Sequence, residues 1–108
     1  MALERVASLA ELPDESLTPV RLTTGERVCL VRKGDAVYAI SDVCTHQEFA
    51  MADGYLVPGS GCVIECNWHG ARFDCATGAV LQEPATDPLP VHEVRVVDGE
   101  VWVGARAA

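Results

Sequence analysis

Cys44-Thr45-His46 and Cys66-Asn67-Trp68-His69 are two short runs, each pairing one thiol with one imidazole and separated by residues 47–65. Side chains so close along the chain converge on one metal only where the backbone curls around it. An extended strand sets i and i+2 on one face several ångströms apart, and a helix favours i+3 or i+4 pairs. Both runs therefore read as tight loops. Thiolate suits iron and imidazole is a borderline ligand, so two such loops can hold one two-iron cluster through Cys44, His46, Cys66 and His69. The same four residues also match tetrahedral zinc chemistry, although zinc modules usually place a Cys pair before a His pair.

Working outward, 108 residues make one domain with one core, and 49% apolar with 22% charged residues is ordinary globular material. Residues 1–11 carry charge every few positions and no apolar run. The sequence thus predicts neither a signal peptide nor a membrane span, and a cytoplasmic chain. Sixteen acidic residues against 8 basic ones give a formal charge of −8, which argues against nucleic acid or anionic membrane as partner and for a basic surface on another protein. The charge is spread along the chain with no like-charged tail, so a solvated surface accounts for much of it. Five cysteines are an odd count for a disulfide framework. With Cys44 and Cys66 assigned to metal, Cys29, Cys62 and Cys75 are expected to be buried small hydrophobes.

Between and around the two loops the pattern is of short strands divided by turn residues, which predicts an all-β chain. Strand-like runs at 20–23, 27–32 and 36–40 flank Thr24-Gly25-Glu26 and Lys33-Gly34-Asp35. Runs at 54–57 and 62–65 flank Pro58-Gly59-Ser60-Gly61, a hairpin that delivers Cys66 to the second loop. Arg72-Phe73-Asp74 and Ala79-Val80-Leu81 enclose Thr77-Gly78, and runs at 91–97 and 100–103 enclose an Asp98-Gly99 turn. Residues 8–15 could carry one short helical turn, limited by Pro13. His92 lies in a strand-like run beside Glu93 and is expected to be a surface or edge-strand residue. It is the one histidine left after His46 and His69, so the chain has no second set of two His and a carboxylate for a mononuclear oxygenase iron.

Tyr38-Ala39-Ile40 leading into Asp42-Val43-Cys44-Thr45-His46, then Asp53-Gly54-Tyr55-Leu56, Ile64-Glu65-Cys66-Asn67-Trp68-His69-Gly70, Phe73-Asp74, Thr77-Gly78 and Pro88-Leu89-Pro90 carry a resemblance over nearly the whole chain. On these pieces the chain resembles the Rieske-type 2Fe-2S ferredoxins that serve bacterial aromatic-ring-hydroxylating dioxygenases. The resemblance implies an antiparallel β-sandwich or barrel of the Rieske type, one domain over 1–108 with a cluster-binding subdomain at about 42–84. It also implies one 2Fe-2S cluster, with Cys44 and Cys66 on an inner iron and His46 and His69 on an outer iron near solvent. The chain would then be a monomeric one-electron carrier, with no catalysis of its own. Its partners, in transient contact, would be a flavoprotein ferredoxin reductase using NAD(P)H and a terminal oxygenase. Alternative readings are a small subunit of a nitrite reductase or of another multicomponent oxidoreductase, and the zinc-binding module.

One departure is the interval between the ligand pairs, longer than usual around 57–60, where a lengthened surface turn costs little closure entropy. Respiratory Rieske proteins carry a disulfide between their ligand loops and a Ser after the Gly of the second loop; Phe49, Trp68 and Ala71 stand in those places here. Without that hydroxyl the oxidised cluster is favoured, which predicts a potential toward the low end of roughly −150 to +300 mV. Phe49, Trp68, Pro84 and Pro88, rimmed by Glu48 and Asp53, are candidates for a small docking surface at the cluster tip or, equally, for packing around it.

Overall fold

The run Arg27–Lys33 is the most continuously apolar strand of the chain because both of its faces are covered. The computed structural model describes residues 3–43, 50–57, 61–66, 70–82 and 88–106. Among the described residues ten strands arise in chain order: β1 (Glu4–Ser8), β2 (Ser16–Arg21), β3 (Arg27–Lys33), β4 (Ala36–Ser41), β5 (Tyr55–Leu56), β6 (Val63–Glu65), β7 (Arg72–Asp74), β8 (Val80–Gln82), β9 (His92–Val97) and β10 (Glu100–Arg106). They form three antiparallel sheets, ordered β2-β3-β4, β1-β10-β9 and β5-β6-β7-β8.

Along β3 successive side chains alternate between two cores. Val28 and Leu30, with Ala39 opposite Leu30 and Val37 further along the same face of β4, pack against Ala7, Val101 and Val103 of the terminal sheet. Cys29 and Val31, with Ile40, pack against Met51, Ile64 and Phe73 beneath the four-stranded sheet. The sequence reading expected one core. The described residues form two apolar clusters because the middle sheet is buried on both sides, and a period-2 strand rich in Val and Leu can serve both.

The predicted all-β class and the hairpins on Gly25, Gly34 and Asp98-Gly99 are present, each of those glycines at positive φ. β1 lay in the stretch read only for its charges; it pairs with β10 through Glu4↔Val103 and Arg5↔Trp102. Its side chains are mostly half-exposed, so little apolar alternation marks it. The short helical turn expected within 8–15 is a 3-10 turn at Leu9–Glu11, where Glu11 accepts the Ser8 backbone N–H at 2.9 Å. A second such turn, Met51–Asp53, was not anticipated.

Candidate metal centre

Asp42 sets the base of the first loop. Its side chain is almost wholly buried, and Oδ1 accepts the Ala52 N–H at 2.8 Å while its own carbonyl accepts the Met51 N–H at 2.6 Å. The Asp42 N–H donates to the Arg27 carbonyl at 3.0 Å, and the Arg27 guanidinium lies 3.5 Å from Oδ2. Val43 and Ala50 form an isolated antiparallel bridge. One residue thus ties both arms of the loop to each other and to β3. A buried carboxylate is tolerated there because a backbone donor and a cation meet it. Cys44 and His46 fall on residues 44–49, outside the described residues, as do Glu48 and Phe49.

The second loop leaves β6 at Cys66, which is fully buried, and its base is closed by the Cys66 N–H donating to the Ala71 carbonyl at 2.7 Å. Gly70 turns the chain back at φ 73°, a conformation in which a side chain is strained. Ala71 is buried in the same cluster as Cys66, Met51, Ile64 and Phe73. His69 and Trp68 lie outside the described residues.

Gly54 joins the two bases. It follows the Met51–Asp53 turn, donates its N–H to the Met51 carbonyl at 3.0 Å, and packs so closely on the Glu65 backbone that a Cβ would run into the Glu65 carbonyl. The arm leaving the first loop is thereby pressed against the residue preceding Cys66. This close backbone approach suits a shared metal group: a buried thiol stands at one loop base, and the arm from the other loop is seated directly beside it. Soft thiolate and borderline imidazole donors on the two loops suit an iron–sulfur cluster.

Glu65 braces this junction. Arg72 Nε donates to Oε1 at 2.7 Å from the facing β7 position, and the Tyr55 hydroxyl donates to Oε2. The Tyr55 hydrogen bond, then Arg72, hold the Glu65 carboxyl below its ordinary range, and the same contact raises the Tyr55 hydroxyl. Gln82 Nε2 donates to the Gly70 carbonyl at 2.9 Å, bracing the far side of the loop. Sequence reading missed Asp42, Glu65, Arg72 and Gln82 as supports. A charged residue inside a short apolar strand, as Glu65 is, was the available signal.

The Thr77-Gly78 pair quoted above has a structural cause. Thr77 Oγ1 donates to Asp74 Oδ2 at 2.8 Å, and Gly78 sits at φ 75° against the Leu89 carbonyl, where no Cβ fits. Leu89 donates its N–H back to Gly78 at 2.8 Å and is buried, which anchors the return from the four-stranded sheet toward β9. Of the suggested docking residues, Pro88 and Asp53 are exposed, and Pro84 lies outside the described residues.

Two expectations need correction. His92 is on an edge strand but not at the surface: its side chain is buried, with Nδ1 hydrogen-bonded to the Gly104 carbonyl at 2.9 Å and Nε2 4.0 Å from Glu26. It is a core histidine of the terminal sheet, satisfied by backbone. Cys62 and Cys75 are not separate small hydrophobes but a disulfide, with Cα atoms 5.4 Å apart. Cys29 is buried as expected, and burial pushes its thiol pKa up.

Comparison with known proteins agrees with this geometry. The model of the Rieske [2Fe-2S] domain matches residues 3–93. Ferredoxin CarAc of Metapseudomonas resinovorans is 35% identical over 99 residues, covering 92% of this chain and 90% of that protein. The 3-phenylpropionate/cinnamic acid dioxygenase ferredoxin subunit of Escherichia coli is 35% identical over 95 residues, 88% of this chain and 86% of that protein. Among solved structures, the ferredoxin of carbazole 1,9a-dioxygenase from Nocardioides aromaticivorans superposes with a TM-score of 0.89 at 36% identity, covering 95% of this chain and 97% of that one. A ferredoxin solved in complex with the oxygenase of carbazole 1,9a-dioxygenase gives 0.84 at 34% identity, over 94% and 91%. A nitrite reductase small subunit from Mycobacterium tuberculosis gives 0.86 at 22% identity over 99% and 97%, a likeness of fold alone. The chain belongs to the Rieske [2Fe-2S] family and is an electron-transfer ferredoxin carrying a Rieske two-iron, two-sulfur cluster rather than an enzyme in its own right.

Proposed function

We propose that this ferredoxin passes single electrons from a flavin-containing, NAD(P)H-dependent ferredoxin reductase to the terminal oxygenase of an aromatic-ring-hydroxylating dioxygenase. The cluster ligands are Cys44 and Cys66 on one iron and His46 and His69 on the other, within a single domain over 1–108 whose cluster-binding part spans about 42–84. The carrier works in the cytoplasm as a monomer. Among the described residues no helix is long and apolar enough to cross a membrane. When bound, the cluster supplies a site that takes up and gives back one electron, at a potential raised above all-thiolate clusters because neutral imidazoles replace two anionic ligands.

The observation that supports this reading most is the Gly54–Glu65 backbone contact, which seats the first loop's outgoing arm beside the buried Cys66. The residues around it position and shield. Asp42 holds the first loop closed, Glu65, Arg72 and Gln82 hold the second, and Met51, Ile64, Phe73 and Ala71 keep water from the thiolate side. Excluding water there limits reorganisation as charge enters and leaves. The oxygenase as partner is supported by the similar ferredoxin solved with one. A relative named as a dioxygenase ferredoxin subunit at 35% identity weighs more than the fold likeness to nitrite reductase subunits.

The test is purification followed by iron and acid-labile sulfide analysis and electron spin resonance of the reduced protein. Two irons and two sulfides per chain, with a reduced-state signal lost in His46→Ala and His69→Ala, are expected. Stoichiometric zinc without sulfide, or a signal untouched by either substitution, would refute the ligand assignment. Reconstitution with candidate reductases and oxygenases, following NADH consumption, tests the pathway.

A further inference from the structure

Cys62 and Cys75 extend the β6–β7 ladder by one step beyond Val63↔Asp74, and the Cys75 N–H donates to the Cys62 carbonyl at 3.0 Å. Their disulfide therefore closes the open end of a hairpin whose other end is the loop after Cys66. Strand alternation puts Cys62, Ile64 and Cys66 on one face of β6, and Phe73 and Cys75 on one face of β7. Ile64, Cys66, Phe73 and Cys75 belong to one apolar cluster, and Cys62 packs against it. From the disulfide to Cys66 is four strand residues, about 13 Å, with Ile64 and Phe73 between.

The two sulfurs differ in access. Cys75 is fully buried, whereas Cys62 is only partly so and follows the exposed Gly61. Cys29 is buried in the same cluster, too far inside to compete as an entry point. We propose that Cys62–Cys75 is a thiol–disulfide exchange site, entered at Cys62, whose state sets how firmly the β6–β7 hairpin holds the Cys66 loop. The thiolate of a dithiol attacks Cys62 Sγ. The Cys62–Cys75 bond breaks, and its electron pair leaves on Cys75 Sγ, which takes a proton. The reagent's second thiol then displaces Cys62 and closes the reagent's own disulfide. The dithiol loses two electrons and two protons, and the protein gains them. Once open, the hairpin loses the covalent closure of its 13-residue separation and keeps three paired positions and the terminal Cys75–Cys62 backbone hydrogen bond, so it frays from the end opposite the loop.

The consequence for the cluster rests on the proposed ligand role of Cys66; the exchange and the fraying do not. Full-length holoprotein is to be labelled with iodoacetamide with and without dithiothreitol and mapped by peptide mass, beside amide hydrogen exchange. Cys62 and Cys75 should stay unlabelled until dithiothreitol is added, with Cys62 labelled ahead of Cys75. Amides of β6 and β7 should then exchange about tenfold or more faster while β9 and β10 are unchanged. The double variant Cys62→Ser, Cys75→Ser should show the same fast exchange without any thiol reagent, which separates the effect from reagent acting on iron. Iron release to a chelator should accelerate in parallel. Labelling of both cysteines in untreated, air-oxidised protein, or equal β6–β7 exchange in both states, would overturn the proposal. Iron missing from every sample would count against the ligand assignment alone, and the alkylation and exchange data would still decide the disulfide's role. Should the double variant not fold, the dithiothreitol arm on the wild type decides.

Discussion

At Gly54 a single missing methyl group lets two backbone segments touch. Gly54→Ala puts a Cβ into the Glu65 carbonyl, and because the obstacle is backbone, one of the two segments must move. A loss of about 2 kcal/mol is expected, typical of overpacking, with lowered iron content; denaturant unfolding and iron analysis of the same preparation check it. Asp42→Ala removes the acceptor of the part-buried Ala52 N–H and the partner of Arg27. Losing hydrogen bonds to a charged group costs about 1–3 kcal/mol, and Asp42→Asn, which keeps an oxygen at Oδ1, should recover part of it. The same unfolding measurement on both variants separates lost hydrogen bonding from lost charge. Neither role was readable from residue type. The Asp before the first loop and the Gly after Asp53 were visible as pieces of a pattern, but Arg27 and Ala52 meet Asp42, and Glu65 meets Gly54, only by way of the fold.

Among the elements, the β3–β4 hairpin is held to the turn before β2 by Asp14, whose Oδ1 accepts the Gly34 N–H at 2.7 Å and the Glu15 N–H at 2.9 Å. The Gly34 hydrogen bond, more than that of Glu15, lowers the Asp14 carboxyl below its ordinary range. A lowered carboxylate contributes stability above its unfolded pKa and loses it as pH falls through the folded value. Asp14→Ala should therefore lower the melting temperature at neutral pH, and the gap to wild type should narrow once pH drops below about 4; melts across that range check it. Strand positions in this meander were readable because Gly25, Gly34 and Asp98-Gly99 punctuate alternating apolar runs. The cross-strand partners of β1 were not, since its half-exposed residues gain their order from β10, which lies at the far end of the chain.

For the whole molecule, a charge of −8 allows a basic partner surface to steer the encounter. If steering contributes, electron delivery to the oxygenase should slow as salt shrinks the screening length from about 10 Å at 0.1 M to about 3 Å at 1 M. Stopped-flow reduction at several ionic strengths checks this, and rates independent of salt would leave the charge to solubility alone. Fold class was readable from the chain, and the four proposed ligands were read from it, because strand alternation and metal-ligand spacing are local properties, set within a few residues. Pairing of Cys62 with Cys75, burial of His92 and the sharing of one sheet between two cores were decided only in three dimensions. Each depends on which distant strand lies opposite, and local sequence carries no information about that register until the apolar faces close on each other.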